Sequence, residues 1–421
     1  MAAGSSTSAS TEATFEERVA FQLSVYANLI AGETGDDLEG LLRERVQHYL
    51  DANQKVIGGW EIVWGPGVKQ FRTDLYAVNA LYVARNVDDP TRYAIAIAGT
   101  NGFEPFEWLF ENLLVQTIPW SPLRPLARLT LGTAIGLNVL KRITPSGDRP
   151  GAGQTLRQFL KGLPDKNIRL TVTGHSLGGA LAPALALWLR DTQRVPVIGA
   201  QSGWDFRELA KISTLTTANP TPGNRRFAQY VAQRLETVRR YANHLDMVPK
   251  LWTNATIDEA KDFYTADGLP GPVPWLFDLA KLWSSGDFYG HLDPGSEPLR
   301  GPFDSGLVDP DQSACANFAA QLLHQHETAY RPHFDLGGLE WPETRPPAEA
   351  VWTPGLRRLF ETTGHDLPPE LARVPARGRP ATAPVGDQPV DLPSAEDADS
   401  AEAEELAQWV GADLDFSTDT D

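Results

Sequence analysis

Cysteine is almost absent from this chain: Cys315 is the only one in 421 residues. A single thiol excludes an internal disulfide and any cysteine-rich metal site, and it is compatible with a reducing compartment. A bilayer-spanning run is also missing. The longest apolar stretch, Leu129 to Leu140, has twelve residues, where a membrane helix needs about 20. Residues 1–13, MAAGSSTSASTEA, contain neither a basic nor an apolar segment. No cleavable secretory signal is therefore expected, which suits a cytoplasmic location or export by a signal-independent route. Basic residues are missing from the C-terminal end. Pro380 to Asp421 holds twelve Asp and Glu and no Lys or Arg, so the net charge of −17 becomes −5 without it. The acidity belongs to a tail rather than to the folded body and argues against a nucleic-acid partner. No His or Cys cluster has metal-ligand spacing, and nothing implies a redox cofactor, a nucleotide or a structural metal.

What is present is enough apolar material for a large core, 42% of residues with 12 Trp, in one large domain or two smaller ones. The chain is organised around Ile168 to Arg190. There, Gly174-His175-Ser176-Leu177-Gly178 forms a G-x-S-x-G pentapeptide. Leu170 and Val172 alternate with Thr171 and Thr173 before it, as in a strand. Gly179-Ala180-Leu181-Ala182 opens an apolar helical run after it. Strand, tight turn and helix are the context of a nucleophile elbow, in which a strained serine projects its hydroxyl. Gly174 and Gly178 remove side chains that would collide, and Gly179 lets the helix pack closely. The Leu177 N–H stands at a helix N-terminus, where it can face an oxyanion. The plain alternative is an ordinary glycine-rich β–α turn, against which the flanking strand and helix signals weigh.

In chain order, residues 1–13 read as a disordered leader. Phe15–Ile30 and Leu38–Leu50 carry helical apolar spacing. Trp60–Trp64 reads as a short strand ended by Gly65-Pro66-Gly67, Leu75–Ala84 as another, and Tyr93–Ala98 as a third, stopped by Gly99-Thr100-Asn101. Phe103 to Ile143 is rich in aromatics and interrupted by Pro119, Pro122 and Pro125. It reads either as buried helices or as an apolar flap over a site that meets lipid. Val195–Gly199 and Ile212–Asn219 are further strands, followed by a helix through Phe227, Val231 and Leu235 and a strand at Thr237–Tyr241. Asp246 follows that strand just ahead of Val248-Pro249, where a buried carboxylate could orient a histidine. Residues 265–312 read as a long decorated loop, and Ser313–Phe334 as helical in its first half. Residues 345–421 read as a Pro/Ala-rich linker and a disordered acidic tail.

Five segments occur in order: YAIAIAGTN, VTGHSLGGALAPALALWL, TANPTPGNRRFAQYV, YANHLDMVPKLW and QHETAY. Together they resemble the class 3, fungal-lipase-like lipases of the α/β-hydrolase superfamily, most closely bacterial members, over residues 20–340. The resemblance implies an α/β-hydrolase fold with a central, mostly parallel sheet flanked by helices. That domain would span 14–344, with a lid-like insertion at 103–143. It implies Ser176 as nucleophile, Asp246 as the acidic member, and Thr100 and Leu177 as oxyanion donors, within the elbow of Gly174, His175, Gly178 and Gly179. Ala98 departs from the arginine usual before Gly-Thr. Of the histidines after Asp246, namely His291, His324, His326, His333 and His365, His326 best matches a family histidine at the start of a late helix. His291 is the second choice.

The expected activity is hydrolysis of lipid carboxylic esters, as a triacylglycerol lipase or esterase, without a cofactor. Phospholipase A1 activity, including that of an exported effector, is the near alternative. A non-catalytic hydrolase-like binding module is the distant one. The expected partners are a lipid ester and, transiently, a lipid interface. The oligomeric state is not readable.

Overall fold

The structure, a computed structural model, describes residues 12–70, 79–99, 116–197, 200–269, 278, 281, 284, 288–312 and 314–343. Most of the expected leader, residues 103–115 of the insertion, Thr100 and the linker and tail lie outside the described residues. In chain order the elements are helices α1 (Phe15–Tyr26), α2 (Leu38–Ala52) and α3 (Gln54–Ile57), then strands β1 (Trp60–Lys69), β2 (Asn79–Asn86) and β3 (Arg92–Ile97). A small hairpin follows, β4 (Thr117–Pro119) and β5 (Arg128–Thr130), leading into α4 (Leu131–Arg142) and α5 (Leu156–Gly162). Then come β6 (Arg169–His175), α6 (Leu177–Asp191), a second hairpin of β7 (Val195–Val197) and β8 (Ala200–Ser202), and β9 (Lys211–Thr217). The chain continues through α7 (Arg225–Arg234), β10 (Thr237–Tyr241), α8 (Asn254–Ala260), α9 (Ala314–His326) and α10 (Arg331–Phe334).

Six strands form the main sheet in the order β1-β2-β3-β6-β9-β10. β1, β2 and β3 pair antiparallel, and β3, β6, β9 and β10 pair parallel. The sheet is buried on both faces, so its strands alternate by size rather than by polarity. Tyr93, Ile95 and Ile97 of β3 and Leu170 and Val172 of β6 join one core with α4 and α6. Ala94, Ala96 and Ala98 join the opposite core with α1 and α2. Those alanines let α1 lie close to the sheet, where Ala20 O accepts a hydrogen bond from Thr173 Oγ1 at 3.2 Å and Leu23 O one from Tyr82 Oη at 2.8 Å. α1 begins with a capping box: Thr14 Oγ1 accepts from Glu17 N, and the Glu17 carboxylate accepts from Thr14 N. Ahead of the capping box, Ala13 is buried and Glu12 pairs with Arg18.

One expectation changes, and two others gain detail. β1 does not stop at Gly65-Pro66-Gly67 but continues to Lys69, with register shifts between Ile62 and Trp64 and between Trp64 and Gly67. The bulged strand absorbs its turn residues without leaving the sheet. Val195–Val197 is a strand, but it pairs only with Ala200–Ser202, outside the main sheet. Within the 103–143 insertion, α4 is core: Ala134, Leu137 and Leu140 are fully buried against α6. A Cβ on Gly136 would stand 2.7 Å from Leu181 Cδ2, so the two helices touch there. Among the described residues, no helix is long and apolar enough to cross a membrane.

Because Leu181 fills the α4–α6 contact and has no exposure, Leu181→Ala should destabilise the fold by about 2–5 kcal/mol. Urea unfolding measures this. A loss below about 1 kcal/mol would mean that α4 is not part of the core.

Candidate active site

Ser176 stands between β6 and α6 with φ 57° and ψ −126°. That backbone is strained for a residue with a Cβ, and it persists because its surroundings leave no alternative. The Ser176 N–H donates to Thr217 O on β9 at 3.0 Å. A Cβ on Gly174 would lie 2.2 Å from Gly178 O, and one on Gly178 would lie 2.4 Å from Ile97 O. Backbone thus meets backbone on both sides of the serine, and glycine at both positions is a packing requirement. Gly179 plays the same part against Asn219, whose Cβ would stand 2.8 Å away. The elbow expected from the pentapeptide is therefore present, with β3, β6, β9 and α6 meeting around Ser176.

Two other segments converge on the serine. His326 is the last residue of α9, not the first residue of a late helix as expected. Its Nε2 lies 2.8 Å from Ser176 Oγ, and its Nδ1 lies 3.1 and 3.0 Å from Asp246 Oδ1 and Oδ2. Asp246 is fully buried in the turn after β10. Its carboxylate also accepts from the Val248 N–H at 3.0 Å and from Tyr330 Oη at 2.8 Å. Burial would lower the His326 pKa, but the charge and hydrogen bond of Asp246 outweigh it, and the pKa is raised above the ordinary 6.5. Nδ1–H donation to the carboxylate leaves Nε2 as the acceptor for the serine hydroxyl.

Two groups that hold this arrangement were not foreseen. Tyr330, known from the sequence only as an aromatic after His326, donates to Asp246 while its Oη accepts from Asn243 N–H at 2.8 Å. Asn243 in turn donates from Nδ2 to Gln325 Oε1 at 2.6 Å and to Gln325 O at 3.0 Å. The Asp246 turn and the His326 helix are thereby tied to each other beside the site. N-x-x-D and Q-H-x-x-x-Y are the signals that could have revealed this brace, since both contain polar residues with no other evident task.

The remaining expected residues divide. His175 is buried behind the serine, with Nδ1 3.0 Å from Thr217 Oγ1 and its ring centroid 5.0 Å from that of His326. Burial first, and then charge on His326, push its pKa well below 6.5, so its ring is neutral. Leu177 is the first residue of α6, where helical N–H groups lack intrahelical acceptors and the helix dipole is positive. Thr100 lies outside the described residues. Its neighbour Gly99 is at the elbow: a Cβ there would stand 3.4 Å from Ser176 Cβ, and the Gly99 N–H donates to Asn28 Oδ1 at 2.8 Å. His291 lies apart from these contacts. It contacts Thr221 Oγ1 at 3.2 Å and Thr256 Oγ1 at 3.4 Å, while the bonds to Ser176 and Asp246 belong to His326. Burial, then the charges of Arg240 and Lys250, push the His291 pKa down to about 3. Among the described residues, no three His, Cys, Asp or Glu side chains gather as metal ligands.

Comparison with known proteins agrees with this geometry. Residues 96–255 match the family model for lipase (class 3), a span that contains Ser176 and Asp246. The fold is similar to that of M37 lipase, with a TM-score of 0.63 and 28% identity over 78% of this chain and 93% of that one. Residues 96–255 carry a class 3 lipase domain. The protein is a carboxylic ester hydrolase of the α/β-hydrolase fold, and lipid esters are its substrate class. Weaker likenesses, each with a TM-score of 0.37, reach a lipase from Rhizopus microsporus var. chinensis and lipase II from Rhizopus niveus. Identities are 18% and 19%, over 56% of this chain and 70% and 76% of theirs. No curated protein matches the chain. In this lipase the histidine lies beyond the matched span, so its place rests on the observed contacts.

Tyr330→Phe removes a hydroxyl buried between Asp246 and Asn243 and leaves the Asn243 N–H without that acceptor. It should destabilise this lipase by about 1–3 kcal/mol. Chemical denaturation measures the change. An unchanged midpoint would show that the brace is dispensable.

Proposed function

We propose that Ser176, His326 and Asp246 form the catalytic triad of an acylglycerol ester hydrolase. The chain of hydrogen bonds from Ser176 Oγ through His326 to the buried Asp246 carboxylate carries this reading. His326 Nε2 takes the hydroxyl proton as Ser176 Oγ bonds to the ester carbonyl carbon. Asp246 holds the imidazole in the required tautomer and stabilises the imidazolium. The Leu177 N–H and the Thr100 hydroxyl and N–H are the proposed donors to the tetrahedral oxyanion. The ester C–O bond then breaks, and the alcohol departs with the proton from His326. Water attacks the acyl-enzyme, gives its proton to His326, and releases the carboxylic acid as that proton returns to Ser176. The catalytic unit is residues 14–344.

Ser176→Ala should lower turnover of a p-nitrophenyl ester series, from acetate to palmitate, by about 10⁶. Comparable hydrolysis by the two proteins would end the proposal. Acylglycerol specificity predicts higher activity on the longer esters, and a profile peaking at acetate would contradict it.

The pH dependence follows from the raised His326 pKa. The neutral ring is the base, so activity is present above that pKa and is lost as pH falls through it. The acid limb of kcat/KM should therefore lie above 6.5, the ordinary histidine value. In Asp246→Asn the raising charge is gone and burial remains, so the limb should move to lower pH while kcat drops by about 10⁴. A limb that stays put would argue against coupling between the two residues.

A further inference from the structure

Among the described residues, the three most exposed large hydrophobic side chains are Leu123, Phe288 and Leu126, at 83%, 82% and 70%. Phe288 is far from the two leucines in sequence, but backbone bonds bring its segment beside theirs. The connection between β4 and β5 carries Leu123 and Leu126, and Leu126 O accepts from Asn224 Nδ2 at 2.9 Å. Phe288 O accepts from the next residue, Arg225, at its N–H, at 3.0 Å. Asn224 also bridges to Tyr289, and its N–H donates to Arg128 O at 2.9 Å. The start of α7 therefore joins both apolar segments into one surface.

Its charge is as distinctive as its apolarity. Residues 119–128, 223–226 and 287–290 contain four arginines against one acidic residue, Asp287, in a chain of net charge −17. Arg124, Arg225 and Arg226 are exposed. Asp191, beneath the hairpin, is engaged by Trp120 Nε1, Tyr230 Oη and Arg234. The surface is also stiffened in an outward shape. Pro122 and Pro125 restrict the β4–β5 connection. Phe288 has φ 49°, rare for a bulky residue. It lies on the catalytic side of the sheet: Thr130 N–H donates to Pro222 O in the loop leaving β9, and Thr217 O at the end of β9 holds the Ser176 N–H.

We propose that this surface docks the protein onto an anionic phospholipid layer. Leu123, Leu126 and Phe288 enter the acyl boundary while Arg124, Arg225 and Arg226 meet headgroup phosphates. Apolar side chains ringed by cations suit such an interface, because hydrophobic insertion and electrostatic attraction add. A neutral layer would leave the arginines unmatched. The proposal rests on the lipid ester reading for its purpose, but the binding itself can be measured without catalysis.

The test uses the full chain carrying Ser176→Ala, so that vesicles stay intact. Co-sedimentation is compared on vesicles of phosphatidylcholine alone and of equal parts phosphatidylcholine and phosphatidylglycerol. Binding should favour the anionic vesicles and weaken with salt. Adding Leu123→Ser, Leu126→Ser and Phe288→Ser together should lower the partition constant at least about tenfold. Arg124→Gln with Arg225→Gln should lower it about fivefold per arginine on the anionic vesicles only. Melting curves check that the variants fold, and if the serine set fails to fold, the arginine pair decides. Absence of vesicle binding by the parent, or parent-like binding by folded variants, would overturn the proposal. So would dimerisation that the serine set abolishes in a parent that ignores vesicles, which would assign the face to a second copy of the chain. An ester-inactive wild type that still binds vesicles would refute the triad and leave this surface standing.

Discussion

Asp246 is an ionisable group with no exposure to solvent, and the site is built around satisfying its carboxylate. A carboxylate buried without partners is costly enough to protonate or unfold its surroundings. Here it receives the Val248 N–H, the Tyr330 hydroxyl and the His326 ring. Each donor comes with a constraint. Val248 fixes the turn after β10, Tyr330 fixes the segment after α9, and His326 is left with one nitrogen facing Ser176. The Asn243–Gln325 bonds tie the same two segments again. Hydrogen-bond satisfaction and placement of the base are therefore one requirement.

The serine is positioned by a different force, steric exclusion. Its positive φ holds because Gly174 and Gly178 let β6 and the start of α6 close on each other and on the end of β3. The alternation of large and small residues along β3 serves the same assembly. Isoleucines face α6, alanines face α1, and both helices approach a sheet that is apolar on both sides. The core thus sets the distance between the ends of β3, β6 and β9, and that distance sets the elbow. A cavity opened under α6 would be felt at Ser176 although no catalytic atom had been touched.

The sequence also separated the acidic tail from the body, which draws attention to local charge. Net charge hides the arginine-rich stretches at 119–128 and 223–226. The bonds at Asn224 and Arg225 bring the first of these beside Phe288. Taken separately, each exposed side chain would be an ordinary surface residue.

Much of the architecture was legible from local pattern alone. Alternation at Tyr93–Ala98, helical spacing at Leu38–Leu50 and glycines around Ser176 are short-range signals, because strand pleat, helix turn and elbow sterics act over a few residues. For the same reason Ser176 and Asp246 could be read from compact motifs. What lay beyond local pattern needed long-range contact. β1 runs through its Gly-Pro-Gly because β2 pairs with it beyond the bulge. α4 is core because Leu181 lies against Gly136. His326 rather than His291 meets Ser176 because of where α9 ends, 150 residues after that serine. Tyr330 and Asn243 gain their roles only when two distant segments close over a buried charge. The sequence by itself determined which residues have the right chemistry and local shape. The tertiary structure decided which of them share a site, because satisfying a buried carboxylate depends on neighbours that the chain order does not supply.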